Sequence, residues 1–303
     1  VTDVDVLGIL SVPLRTELHY DLFKAHLFTH PLFRLWSHVS VPVVQEMCVE
    51  SVHFEYLEPD DEVFAAGYPS DKTYYTLHGT LRYLQEPGTS NVQQICHQDV
   101  GEETWLCEAA LWTDWIHVGT MVSRVASQLL ALEAEGVISL LKKHRLIRDI
   151  TAEYGDHFHR RVTLARPPMA DWPSDICVPF AEYSNIFLCM SPDVQVTIGQ
   201  ISLTEALKPL FTKMSRAHVE LQKEVEQHRC QLYLNGAGQL ERVTAVTVLS
   251  IRRSDGRVLV ELGRMDSQAG DADVSTACQL PGGKSERHES PSETAQRILQ
   301  SAL

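Results

Sequence analysis

The chain has 303 residues, 44% of them hydrophobic and 22% charged, and a formal net charge of −14 at neutral pH. That length suits two domains, or two and a fragment, and the composition is that of globular protein rather than a disordered tail. The acidic balance excludes a nucleic-acid binder that tracks phosphates, so no nucleic-acid partner is expected.

The seven cysteines form no C-x-x-C pair. This pattern predicts reduced thiols in a cytoplasmic setting, not a disulfide framework or a zinc site. No apolar run reaches membrane-spanning length and no signal peptide is recognisable. The chain opens on Val1 without an initiator Met, as a cut or processed chain would.

Residues 3–30 read as helical, with Leu14, Leu18, Leu22 and Ala25 on one face and Pro13 suited to a first turn. The stretch HPLFRLWSHVSVPVVQEMCVES predicts two more short helices, broken at Pro31 and before Pro42. From Val52 to Leu132 short alternating runs are separated by Pro59-Asp60-Asp61, Gly67 to Asp71, His78-Gly79 and Pro87 to Asn91. Many short strands at this spacing predict a sandwich or jelly roll. Helical spacing then returns in Leu140, Leu141, His144, Ile147 and Ile150.

Pro167, Pro168, Pro173, Pro179 and Pro192 predict an irregular segment over 165–203. A long amphipathic helix is expected from Thr204 to about Arg229, with Leu207, Leu210, Phe211, Met214, Leu221 and Val225 as its stripe. From Leu232 strands return, and Asp255-Gly256 between two β-rich runs signals a hairpin. Ser290 and Glu293 have the spacing of a capping box, with Pro291 at the first helical position.

The order of helices, jelly roll and closing helices, together with WLCEAALWTDWIHVGT from Trp105 to Thr120, resembles a cyclic nucleotide-binding domain. That family carries F-G-E-x-A-L, an Arg nine residues after the Glu, then small residues and a Thr or Ser. Glu108, Ala110, Leu111 and Thr120 fall in that register without gaps, and the likeness spans roughly 33–162. It implies an α+β fold, a jelly-roll β-barrel with flanking helices. The flank LSVPLRTELHYDLFKAHLFTHPLF is similar to the C-linker of hyperpolarisation-activated and cyclic-nucleotide-gated channels, a helical collar between pore and binding domain.

In the resembled cassette a cyclic phosphate meets backbone N–H groups and a guanidinium fork, while the Glu accepts from the ribose hydroxyl. Cys107 stands here for the Gly and His117 for the Arg. A histidine is mostly neutral at neutral pH and lacks the bidentate fork. The loss should cost on the order of 2–5 kcal/mol. Cyclic AMP and cyclic GMP, the ligands the likeness implies, are therefore expected to bind weakly or not at all. Glu108 has a second reading, as a structural cap or pairing group. Were His117 to sit near Glu108, protonation would supply the missing cation, and anionic ligands would bind better as pH falls.

LPGGKSERHESPSETAQRIL resembles the Nudix box, matching at Gly283, Glu289, Arg297 and Leu299, with Glu286 as the other nearby carboxylate. Ile298, Ser301 and Ala302 stand where that family's metal-binding carboxylates belong. Metal binding and diphosphate hydrolysis are accordingly not expected.

The expected organisation is C-linker-like helices over 1–32, a cyclic nucleotide-binding-like domain over 33–162, a Pro-rich bridge with a long helix over 163–229, and a Nudix-like α/β segment, shorter than that fold, over 230–303. The resemblance implies a non-enzymatic regulatory region on the cytosolic face of a membrane protein. It would gate or assemble an ion channel, a homotetramer whose pore domain precedes Val1. A soluble cyclic-nucleotide sensor or regulatory subunit is the alternative, with no cofactor or metal expected in either case. A Nudix-type hydrolase is disfavoured.

Overall fold

In a computed structural model, residues 10–167, 170–208, 216–227, 230–243, 246–265, 274–284 and 296–300 are described. The chain divides into two units, Val1–Thr212 with Leu232–Glu241, and Lys213–Gln231 with Arg242–Leu303.

The first unit opens with helices α1 (Val12–Leu27), α2 (Pro31–Val39) and α3 (Val41–Glu50), each with Pro in its first two positions. Proline is tolerated there because the missing N–H would have no intrahelical partner, and its φ is already helical. His30 caps α2 by accepting from the Leu32 N–H. The expected face of α1 is corrected. Leu14, Leu18 and Leu22 are 49%, 40% and 37% exposed, and the buried side chains are Phe23 and Leu27. The reason is aromatic packing: the Phe23 ring meets Phe54 edge-on at 4.9 Å, and one aromatic ring buries more surface than a leucine.

Eight strands follow: β1 (Val52–Leu57), β2 (Glu62–Phe64), β3 (Lys72–His78), β4 (Leu81–Gln85), β5 (Cys96–Val100), β6 (Trp105–Leu106), β7 (Thr120–Ser123) and β8 (Ser127–Glu133). They make two four-stranded antiparallel sheets, ordered β1-β8-β3-β6 and β2-β7-β4-β5. This is the double-sheet arrangement of a jelly roll. Neither sheet closes on itself, so the barrel expectation is corrected to two open sheets. The edges are short: β6 pairs with β3 only at Tyr74↔Leu106 and Tyr75↔Trp105. Tyr74, Leu81, Tyr83, Leu106, Met121 and Leu129 form the core of this region. Residues Leu129 to Leu132 of β8 are all fully buried, so that strand is covered on both faces. Gly79 turns the chain with φ +99°, and a Cβ there would run into Ser127.

Helices α4 (Ala134–Lys143) and α5 (Arg145–Leu164) are separated at His144 and bury Leu140, Ile147 and Ile150, as the spacing predicts. Trp36 ties α2 to α5 by donating from its indole N–H to Thr151 Oγ1 at 2.9 Å. The irregular reading of 165–203 is corrected as well. Helix α6 (Tyr183–Phe187) and helix α7 (Pro192–Leu207) occupy much of it, with Pro192 in the first turn of α7 rather than breaking a helix. A helix beginning at Thr204 is therefore replaced by one already running at that residue. Pro209, Leu210, Phe211 and Met214 lie outside the described residues, and α8 (Arg216–Glu226) carries the later part of the expected stripe. Strand β9 (Gln231–Leu234) pairs with β10 (Leu240–Val243), and Tyr233 of β9 packs on Tyr183 at 5.1 Å.

In the second unit β11 (Val246–Val248) pairs with β14 (Gly282–Lys284), and β12 (Glu261–Met265) with β13 (Val274–Gln279). The Asp255-Gly256 turn forms, with Gly256 at φ 84° and Arg252 bridged to Val258. Gly283 lies on β14, and Arg297 falls within the helical residues 296–300. A Cβ on Gly283 would touch the Ile298 side chain at 3.4 Å. Glu286, Glu289, Ser290, Pro291 and Glu293 lie outside the described residues.

Candidate functional site

The site is built where β6 ends. Cys107 has φ 57°, a left-handed conformation that costs a side-chain-bearing residue about 1–2 kcal/mol. A glycine would adopt it without strain, and Cys107 is the position at which the resembled cassette has its Gly. A single 3₁₀ turn, Glu108–Leu111, follows with Ala109, Ala110 and Leu111 buried. The loop then returns through His117 to β7, where Thr120 Oγ1 accepts from the Ala66 N–H at 3.1 Å.

Glu108 is bound to the helices. His30 Nε2 lies 3.2 Å from its Oε1, the Tyr154 hydroxyl donates to that oxygen at 2.9 Å, and the Trp112 indole N–H does so at 3.2 Å. Burial alone would raise the Glu108 pKa. The opposing pull of His30 and the donated hydrogen bonds outweighs it and holds the carboxyl below its ordinary range. The phenol of Tyr154 is pushed well up, by burial first and then by the Glu108 charge, so it stays a donor. Glu108 thus anchors the cassette to α2 and α5, the structural role.

His117 is 5% exposed and stacks on Phe64, with ring centroids 4.0 Å apart and planes 8° from parallel. Its carboxylate partner is Asp175, and the histidine that meets Glu108 is His30, so the condition under which a His117–Glu108 pair would drive ligand binding is not met.

Asp175 comes from the Pro-rich bridge, which the sequence reading passed over. Its side chain is fully buried, and the Cys107 N–H donates to its carbonyl at 2.7 Å. Ser174 Oγ accepts from the N–H groups of Ile176 and Cys177 at 3.3 and 3.1 Å, which turns the strap so that Asp175 points inward. Oδ1 accepts from the Trp115 indole at 2.8 Å and lies 2.8 Å from His117 Nδ1. Oδ2 accepts from the Tyr83 hydroxyl at 2.6 Å and from the consecutive N–H groups of Val118 and Gly119 at 3.0 Å each. Burial, then the Asp175 charge, pushes the Tyr83 phenol far upward, which keeps its proton in place. Gly119 is required: a Cβ there would run into the Tyr83 ring.

Two adjacent backbone N–H groups, an indole, an imidazole and a phenol make an oxyanion cradle. His117, Cys107 and Asp175 also present ligand atoms within 4.8 Å of one another, a spacing that a metal ion could use. Their chemistry here is hydrogen bonding. Burial and then the Asp175 charge drive the Cys107 thiol well above its ordinary pKa. Asp175 already serves five donors. The sequence flagged Cys107, Glu108, Ala110, Leu111, His117 and Thr120. It missed Asp175, Tyr83 and Trp115, because no local spacing links a strap residue to a strand and a loop.

No family model matches the chain. No curated protein matches it either. Among solved structures, the chain is similar to the sensor domain of the transcriptional regulator DNR from Pseudomonas aeruginosa. The identity is 22%, the match covers 45% of this chain and 93% of that one, and the TM-score is 0.34.

Proposed function

We propose that the first unit is a non-catalytic regulatory domain of the cyclic nucleotide-binding type, whose anion cradle is filled by its own Asp175. The observation that carries this reading is the five donors converging on one buried carboxylate. Those donors include His117, Val118 and Gly119, in the stretch where the resembled cassette places its arginine and small residues. A tethered carboxylate outcompetes a free ligand because its effective concentration is high and no translational freedom is lost on docking.

The test is calorimetry with inorganic phosphate, cyclic AMP and cyclic GMP on the wild-type chain and on Asp175→Ala. Wild type should give no saturable heat, and the variant should bind inorganic phosphate. Asp175→Ser serves if the alanine variant does not fold. Low-micromolar nucleotide binding by wild type, or folded variants that take up no oxyanion, would overturn the reading.

The finer attribution, to the gating or assembly region of a tetrameric ion channel, rests on the likeness of the Leu10 to Phe33 flank alone. Among the described residues no helix is long and apolar enough to cross a membrane. For the second unit we propose a non-catalytic role. Ile298 is 5% exposed beside Gly283, an apolar side chain at a position where the resembled box would carry a carboxylate.

A further inference from the structure

Asp175 turns its carboxylate into the cradle, and the strap residues Ser174 to Val178, Asp175 among them, also line a cavity of about 180 Å³. Its polar lining includes Glu108, Ser174, Cys177 and Glu182, and its aromatic lining is Trp105 and Phe158. Among the described residues no lysine or arginine lines it.

The cavity has two carboxylates in its lining, Glu108, with His30 beside it, and Glu182. The three groups that approach Glu108 all reach Oε1, and among the described residues no donor reaches Oε2. Glu182 is a second carboxylate, partnered through Oε2 by the Asn185 amide at 2.5 Å. The Cys177 thiol reports the local potential: burial raises its pKa, and the charges of Glu182 and Asp171 raise it further. The Trp105 indole N–H is committed to Thr29 Oγ1 at 3.0 Å, so that side chain offers the cavity its ring rather than a donor.

An inorganic cation would need a full shell of oxygen ligands; Glu108, Ser174, Asp175 and Glu182 bring oxygens to the lining, but Ala109, Phe158, Ile176, Val178 and Ala181 make up the rest of the wall. Carboxylates beside aromatic rings suit a different guest, one with a positive charge on a small carbon body. The volume limits that body to a few heavy atoms, well below drug size.

We propose that this cavity binds a compact organic ammonium ion, its charge facing Glu108 and Glu182 and its carbon framework against Trp105 and Phe158. None of the five groups that donate to Asp175 is among the lining residues, although Asp175 itself is, and the ligand is of opposite charge to one the cradle would take. A guest there would contact the cassette through Glu108 and the strap through Glu182, and would hold the two together.

The experiment is calorimetry on the full chain at low ionic strength, with choline chloride, ethanolammonium chloride and the uncharged carbon isostere of choline. At least one of the two ions should bind saturably, and the isostere should not. Binding of that ion should weaken by about tenfold in Glu108→Gln and in Glu182→Gln, the loss of one charged contact. Glu182 is on the surface, so its variant keeps the test valid should Glu108→Gln fail to fold. Absence of saturable binding by both ions overturns the proposal. So does equal binding of the isostere, or undiminished binding in the folded glutamine variants.

Discussion

Asp175 Oδ1 lies 2.8 Å from His117 Nδ1, across 58 residues of sequence. His117 offers neither the permanent charge nor the planar fork with which an arginine would hold a free phosphate. A carboxylate delivered by the same chain asks for less, since Tyr83, Trp115, Val118 and Gly119 supply the other hydrogen bonds. The cradle is then complete without a soluble ligand.

Asp175→Ala should be among the most destabilising single substitutions in the first unit. It orphans buried donors on Tyr83, Trp115 and His117, at about 1–3 kcal/mol for each that finds no new partner. A net loss of about 3–5 kcal/mol is expected, a fall in Tm on the order of 10 °C. Urea denaturation measures it, and a loss below about 1 kcal/mol would show that the donors do not depend on this carboxylate.

His117→Arg restores the residue type of the resembled cassette, yet by itself it should not create a nucleotide site. The new guanidinium would pair with Asp175, which stays in place. Cyclic AMP binding is expected only in the double variant His117→Arg with Asp175→Ala. Calorimetric titration of the single and double variants side by side decides it, and binding by the single variant would show that Asp175 is readily displaced.

Cys107 offers a cleaner backbone test. Its φ of 57° is strained for any residue with a Cβ. Cys107→Ala and Cys107→Gly both remove the thiol, so their difference isolates the backbone. The glycine variant should be the more stable by about 1 kcal/mol, the reverse of the usual order in regular structure. Equal stabilities would mean that the left-handed conformation is not adopted in solution.

Glu108 gives a prediction in pH. Its folded-state pKa is lowered, so its ionised form stabilises the fold above the unfolded-state value, and that contribution disappears as pH falls through the folded value. The stability gap between wild type and Glu108→Gln should be widest near neutrality. It should narrow as pH drops from about 5 toward about 3. Denaturant titrations of both proteins across that range read the gap directly, and a gap that widens on acidification would reverse the sign argued here.

Much of the architecture was legible locally. Prolines at the starts of α2 and α3 set those boundaries, because a missing N–H and a fixed φ act within one turn. Alternation and turn residues between Val52 and Leu132 sufficed for the strands, and Asp255-Gly256 for its turn. The register of the resembled cassette set Cys107 at its glycine position and His117 at its arginine position.

What sequence alone could not decide involved competition between distant surfaces. The leucine repeat of α1 was a sound helical stripe, but Phe23 took the buried face because Phe54 was there to receive it. Pro192 was ambiguous between breaker and first-turn residue, and only the surrounding packing settles that choice. Nine residues' spacing left open whether Glu108 and His117 meet, and each found its partner in another element: His30 at the start of α2 and Asp175 in the strap. Residue types and turn chemistry act over a few bonds, so the sequence determined the short strands, the turns between them and a histidine at position 117. Which carboxylate filled the cradle depended on closing a long loop onto buried donors, and that only the tertiary structure decided.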